Sequence, residues 1–138
     1  MATAFREGYD IVRPVKPDTI AKSLAIGNPA DGPYAVELAR RSGGTIDAVT
    51  DDEIRAGIRL LAETTGIFTE TAGGVTTAVL KKLADEGAFG ADDRIALIIT
   101  GEGLKTLDAA RDRFQMHEID PDLESFESAF EHHQEVVA

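Results

Sequence analysis

Thr100-Gly101-Glu102-Gly103 is the first stretch whose residue types could do chemistry. It follows the apolar run Arg94 to Thr100 (RIALIIT) and precedes residues with helical character, which is where open α/β sheets keep their ligands. Glycines there let a ligand approach the backbone, and the threonine hydroxyl is a neutral donor at the strand's carboxyl edge. The stretch fails as a dinucleotide fingerprint because Thr106 stands where a third glycine is expected, and a tight structural turn accounts for it equally well. Glu70-Thr71-Ala72-Gly73-Gly74 is the second candidate. Small residues opening a helix leave free N–H groups with space beside them, and Glu70 sits at a strand end. The competing reading is a solvated Glu70 beside two glycines that merely permit close packing. Lys22 is the one lysine in a segment able to line a cleft, with solvation as its alternative fate. His117, His132 and His133 fall late in the chain, and adjacent histidines on a helix point apart, so no metal site is expected. Asp51-Asp52 and Asp92-Asp93 read as helix-start and turn acids rather than a catalytic pair, and Lys81-Lys82 as a solvated face.

The chain that carries these groups has 138 residues, 43% of them hydrophobic and 28% charged, which allows one domain with a real core and disfavours disorder throughout. Lys+Arg 14 against Asp+Glu 25 leaves a net charge of −11, a balance that repels phosphate backbones and anionic membrane surfaces; neither nucleic acid nor membrane is an expected partner. Cysteine is absent, which removes disulfides, thiolate nucleophiles and Cys-based zinc sites and fits a cytoplasmic location. No apolar run approaches the roughly 20 residues that span a bilayer.

The elements that must position the candidates can be read in order. Residues 1–8 resemble the last turns of a helix ending at Gly8, as though the chain began inside something larger. Ile11 to Val15 is strand-like and stopped by proline, and Thr19 to Pro29 (TIAKSLAIGNP) ends in a turn signal. Pro33 to Ser42 predicts a helix closed by Gly43-Gly44, and Thr45 to Val49 a strand. Thr50-Asp51-Asp52-Glu53 is a capping box that opens a helix carrying Ile54, Ile58, Leu60, Leu61 and Ala62 and stopping at Gly66. A second helix runs from about Gly73 to Glu86, and a third begins near Thr106. Strands alternating with helices predict a layered α/β/α architecture with a mostly parallel sheet and right-handed crossovers. Residues 115–138 form an acidic appendix, with a helix start at Asp120-Pro121-Asp122 and Leu123, Phe126 and Phe130 on one face. That stripe docks on the main domain or, alternatively, against another subunit or a missing segment.

Together, TIAKSLAIGNP, GIFTETAGGVTTAVLKKL and IITGEGLKT, in this order and spacing, resemble the C-terminal half of threonine synthase, a fold-type II pyridoxal-phosphate enzyme akin to threonine dehydratase and the tryptophan synthase β subunit. The likeness covers about Thr3 to Phe114, making residues 1–114 part of a catalytic domain. It implies conversion of O-phospho-L-homoserine and water to L-threonine and phosphate on pyridoxal phosphate. It also implies cofactor-binding roles for Thr100, which would donate to the pyridine nitrogen, for the adjoining Gly101, for Glu70 in the cofactor cavity, and for Ala21 in the wall beside the ring. Glu102 stands where the family has asparagine or histidine.

No lysine here matches the family's cofactor-binding lysine, and no glycine cluster matches its phosphate cradle. The expectation is therefore a chain that carries one wall of the site, holds no stable cofactor alone, contains no catalytic residue, and is inactive by itself. Rival readings are a fragment of a dehydratase-like lyase and a non-catalytic truncated paralogue that self-associates through exposed apolar surface.

Overall fold

A computed structural model describes residues 1–111 and 117–131. His132, His133, the boundary at residues 114–115 and the last part of the acidic appendix lie outside the described residues. The helices are α1 (Ala2–Glu7), α2 (Gly32–Arg41), α3 (Asp51–Thr65), α4 (Thr71–Asp85) and α5 (Leu123–Glu131), with 3₁₀ turns at Lys22–Leu24 and Gly103–Ala109.

α3 has the ends its sequence predicts. Thr50 Oγ1 accepts the Glu53 amide at 3.3 Å while the Glu53 carboxylate takes the Thr50 amide at 2.6 Å, so two otherwise orphaned donors are satisfied reciprocally. Gly66 ends the helix with φ 75°, a left-handed conformation that costs glycine nothing. α4 starts two residues earlier than expected, with Glu70 at the cap position.

The α3–α4 crossing is the centre of the molecule. Gly57 and Gly74 face one another so closely that a Cβ on Gly57 would lie 2.5 Å from the Gly74 carbonyl oxygen, and one on Gly74 2.8 Å from the Ile54 carbonyl oxygen. Backbone approach at this range lets Ile54 and Ile58 bury fully, and with Ala21 and Ala109 they form a core against which Ile20, Val49, Phe68 and Val75 pack. A smaller cluster of Ala4, Val12 and Val36 sits between α1 and α2, where Arg40 donates to the carbonyls of Ala4 and Tyr9 and to the Asp10 carboxylate. Gly57→Ala should therefore destabilise the chain by about 2 kcal/mol, since overpacking of up to about 3 kcal/mol outweighs the roughly 1 kcal/mol gained in helix propensity. Urea unfolding followed by circular dichroism measures it, and a stabilised variant would contradict the crossing.

The stretches at 11–15, 45–49 and 94–100 carry no ladder among the described residues; the isolated antiparallel bridge Thr69–Glu102 is the β-pairing seen there. Val15 does donate to the Gly27 carbonyl at 2.9 Å, and a Cβ on Gly27 would collide with the Val15 oxygen, so the glycine of the IGNP motif is required for that contact. The helix expected near Thr106 is instead a 3₁₀ run from Gly103 broken at Thr106 (φ −137°, ψ 47°). The break has a cause: the Thr106 hydroxyl accepts the Thr71 amide at 3.2 Å, occupying a free donor at the start of α4. In the appendix, Asp122 rather than Asp120 caps α5, its Oδ1 accepting the Ser125 amide at 2.8 Å. The α5 stripe remains largely open, with Leu123 69%, Phe126 48% and Phe130 45% exposed, and the two phenylalanine rings packed on each other at 4.7 Å.

Candidate functional site

Two of the motifs converge. The chain entering α4, Phe68-Thr69-Glu70, lies along the turn Thr100 to Gly103, and three hydrogen bonds and two packing contacts join them. The Glu70 amide and the Thr69 hydroxyl both donate to the Gly101 carbonyl, at 3.1 and 2.9 Å. The Gly103 amide donates to the Phe68 carbonyl at 3.0 Å. The Glu70 side chain lies directly over Gly101, where any Cβ would meet its carboxyl group, and Gly103 lies flat on the Phe68 ring. Both glycines are thus bare because a neighbour occupies the space, rather than for conformational freedom.

The sequence-derived residues fall into two groups. Thr100, Gly101 and Glu70 come together at the N-terminal end of α4. Thr100 is exposed, and neither its hydroxyl nor the Glu70 carboxylate has a hydrogen-bond partner among the described residues. The Thr71 hydroxyl next to them is 1% exposed and also lacks a partner among those residues. Ala21 is placed elsewhere. It is 2% exposed and packs in the core with Ile54, Ile58 and Ala109. Lys22 is exposed, which favours the solvated reading, and Asp93 closes a turn by accepting the Gly90 amide. Gly73 and Gly74 serve close packing: Gly74 against α3, and Gly73 against Thr69, whose side chain fills the space a Cβ would take. Glu102, the departure from the family pattern, accepts the Leu104 amide at 3.1 Å and caps the turn. Lys82 is not merely solvated, since it pairs with Asp47 at 2.7 Å and ties α4 to the 45–49 stretch. That pairing holds the Asp47 carboxyl below, and the Lys82 ammonium above, its ordinary range.

Sequence reasoning missed the tether that holds the TIAKSLAIGNP segment. Asp51, in the first turn of α3, accepts the Thr19 hydroxyl at 2.6 Å and the Ile20 amide at 3.2 Å, while Thr19 in turn accepts the Ala21 amide. The Thr19 hydrogen bond is the main reason the Asp51 carboxyl sits below its usual range, with the Ile20 amide and the charges of Arg55 and Lys22 adding to it and burial opposing. The folded-state value is depressed, so this stabilisation is present above the unfolded value of about 3.9 and disappears as pH falls through the folded value. Asp51→Asn should cost about 1 kcal/mol at neutral pH and flatten the melting-temperature profile below about pH 4. A mutant profile parallel to the parent's at acid pH would refute the tether's role.

The family described as "Pyridoxal-phosphate dependent enzyme" matches residues 1–101. The chain is 47% identical over 108 residues to the threonine synthase of Methanocaldococcus jannaschii, a match covering 78% of this chain and 27% of that protein. It is 42% identical over 95 residues to the threonine synthase of Bacillus sp. (strain ULM1), covering 69% and 27%, and 44% identical over 90 residues to that of Halalkalibacterium halodurans, covering 65% and 25%. The chain thus spans about a quarter of the length of the curated relatives it matches. No helix among the described residues is long and apolar enough to cross a membrane. With its matched region running through the paired Glu70 and Gly101, the chain belongs to the pyridoxal-phosphate dependent enzymes.

Proposed function

We propose that this chain forms one wall of the cofactor and substrate site of a threonine synthase, which converts O-phospho-L-homoserine and water to L-threonine and phosphate. The observation that carries the reading is the Thr69-Glu70 and Thr100-Gly101 pairing, which brings the Thr100 and Glu70 segments together at the start of α4, the hydroxyl of one and the carboxylate of the other without partners among the described residues. The donor set fits pyridoxal phosphate. Its ring nitrogen is an acceptor, and Thr100 offers a neutral donor at an exposed position. The chemistry supplied by pyridoxal phosphate when bound is withdrawal of negative charge from the substrate carbon into the ring. Thr100 would hold the ring nitrogen unprotonated, tempering that withdrawal as replacement chemistry requires. Glu70 would border the same cavity, and Gly101, with no side chain, would leave the Glu70 carboxyl the space it occupies there.

None of the lysines is set up to bind the cofactor aldehyde. Lys16, Lys22, Lys81 and Lys105 are exposed, and Lys82 is held protonated by Asp47. An aldehyde-binding amine is instead a desolvated lysine whose proton is easily lost. We therefore assign that lysine, and the phosphate cradle, to polypeptide outside these residues. The layered sheet belongs to the same proposal. Ile11, Val15, Ile95 and Ile98 are 73%, 66%, 50% and 71% exposed on stretches with no ladder, which is the expected state of strands whose neighbours lie elsewhere. A cytoplasmic location and residues 1–114 as the domain portion also remain parts of this reading.

The test is complementation. The purified chain, and a polypeptide carrying the remaining part of a threonine synthase, should each release no phosphate from O-phospho-L-homoserine, and their co-expressed complex should. Turnover by the chain alone would overturn the reading. A complex that deaminates threonine without releasing phosphate would move it to the dehydratase-like lyases, and self-association with no complex would favour the interaction-module alternative.

A further inference from the structure

We propose that Thr69 is a positioning residue for this site, acting through the Gly101 carbonyl to fix where the Thr100 hydroxyl stands; the inference rests on the function proposed above. Thr69 is wholly buried, at 0% exposure. A valine would fill such a position with the same β-branched shape, so burying a hydroxyl there makes physical sense only if the hydroxyl has work that offsets its desolvation. Its hydrogen-bond partner among the described residues is the Gly101 carbonyl, 32 residues away in sequence, at 2.9 Å. That oxygen also accepts the Glu70 amide at 3.1 Å, so both of its lone pairs are used and the Gly101–Glu102 peptide, one residue on from Thr100, cannot rotate freely. Gly73 completes the device, because a Cβ there would fall 2.0 Å from Thr69 Oγ1 and expel the side chain from its seat. The Glu70 carboxyl, packed over Gly101, is fixed by the same arrangement. One buried hydroxyl thereby sets the relative placement of Thr100 and Glu70, the two groups that the proposed function assigns to the cofactor.

The test uses Thr69→Val and Thr69→Ser, in the full chain and in the co-expressed complex. In the chain alone, Thr69→Val should speed hydrogen exchange of the Glu70 and Gly103 amides about 5- to 10-fold, with Thr69→Ser close to the parent. In the complex, Thr69→Val should shift the visible absorption of the bound cofactor and lower kcat about 10-fold with KM little changed, and Thr69→Ser should restore both. Unchanged exchange in Thr69→Val would overturn the clamp itself. Faster exchange with an unmoved cofactor spectrum and kcat would show a merely structural hydroxyl and overturn the positioning role. A parent complex that never takes up the cofactor would instead refute the proposed function, and this role with it, whatever the exchange data show.

Discussion

On the function proposed, Thr100→Val should lower phosphate release by the complex of this chain with its complementing polypeptide about 10²-fold, the usual loss when one preorganised donor is taken from a developing charge. The substitution keeps the β-branched shape and removes the hydroxyl, so a fall of this size would report the hydrogen bond rather than packing. Thr100 is well suited to the comparison because it is exposed. Thr100→Ser should stay within about threefold of the parent, since its hydroxyl reaches the same point. Thr100→Asp should behave like valine or worse, because an ionised carboxylate accepts where a donor is needed and would bind only a protonated ring nitrogen. A Thr100→Val enzyme within about twofold of the parent would remove Thr100 from the site, and the measurement is kcat from phosphate release at saturating substrate.

What could be read from the residues in advance was what depends on neighbours in sequence. The capping box at Thr50 and Glu53, the left-handed stop at Gly66 and the amphipathic face with Ile54, Ile58 and Leu61 are all settled within a few residues. Thr100, Gly101 and Glu70 could be named because their motifs are specific, yet nothing local says that they touch. Their meeting is a tertiary event across some thirty residues, made by a carbonyl accepting two donors. The Asp51 tether was hidden for a different reason. An acid in a helix's first turn is already accounted for by the helix dipole, so its second use, gathering Thr19 and Ile20, leaves no trace in spacing. Thr106 misled in the same way: its position fits a helix start, but its hydroxyl is spent on the first amide of α4 and the backbone yields. Ala21 shows the limit of a motif. The motif names a segment, while burial shows that the methyl group of this residue packs in the core.

The second large effect lies in that core. Ile54→Ala should cost about 3 kcal/mol of stability, the central value for emptying a well-packed isoleucine site. Ile54 is 2% exposed and is among the largest wholly buried side chains described, with its backbone and Cγ2 against Gly74 across the crossing. Glycine has no side chain that could relax into the vacancy, so collapse around the cavity is limited and the cost should not fall to the low end of the range. Ile54→Val, which removes one methyl, should cost only about 1 kcal/mol. Against a total of about 5–15 kcal/mol for a domain, the alanine variant would shift the urea midpoint far more than any surface change, with the slope of the transition unaltered. The consequence reaches the site because the same cluster joins Ala21, Phe68 and Ala109, which belong respectively to the TIAKSLAIGNP segment, the approach to α4 and the turn after Thr100. Loosening it should therefore weaken assembly with the complementing polypeptide as well as the fold. An Ile54→Ala chain within about 0.5 kcal/mol of the parent would mean that these segments are held together by something other than the α3–α4 crossing.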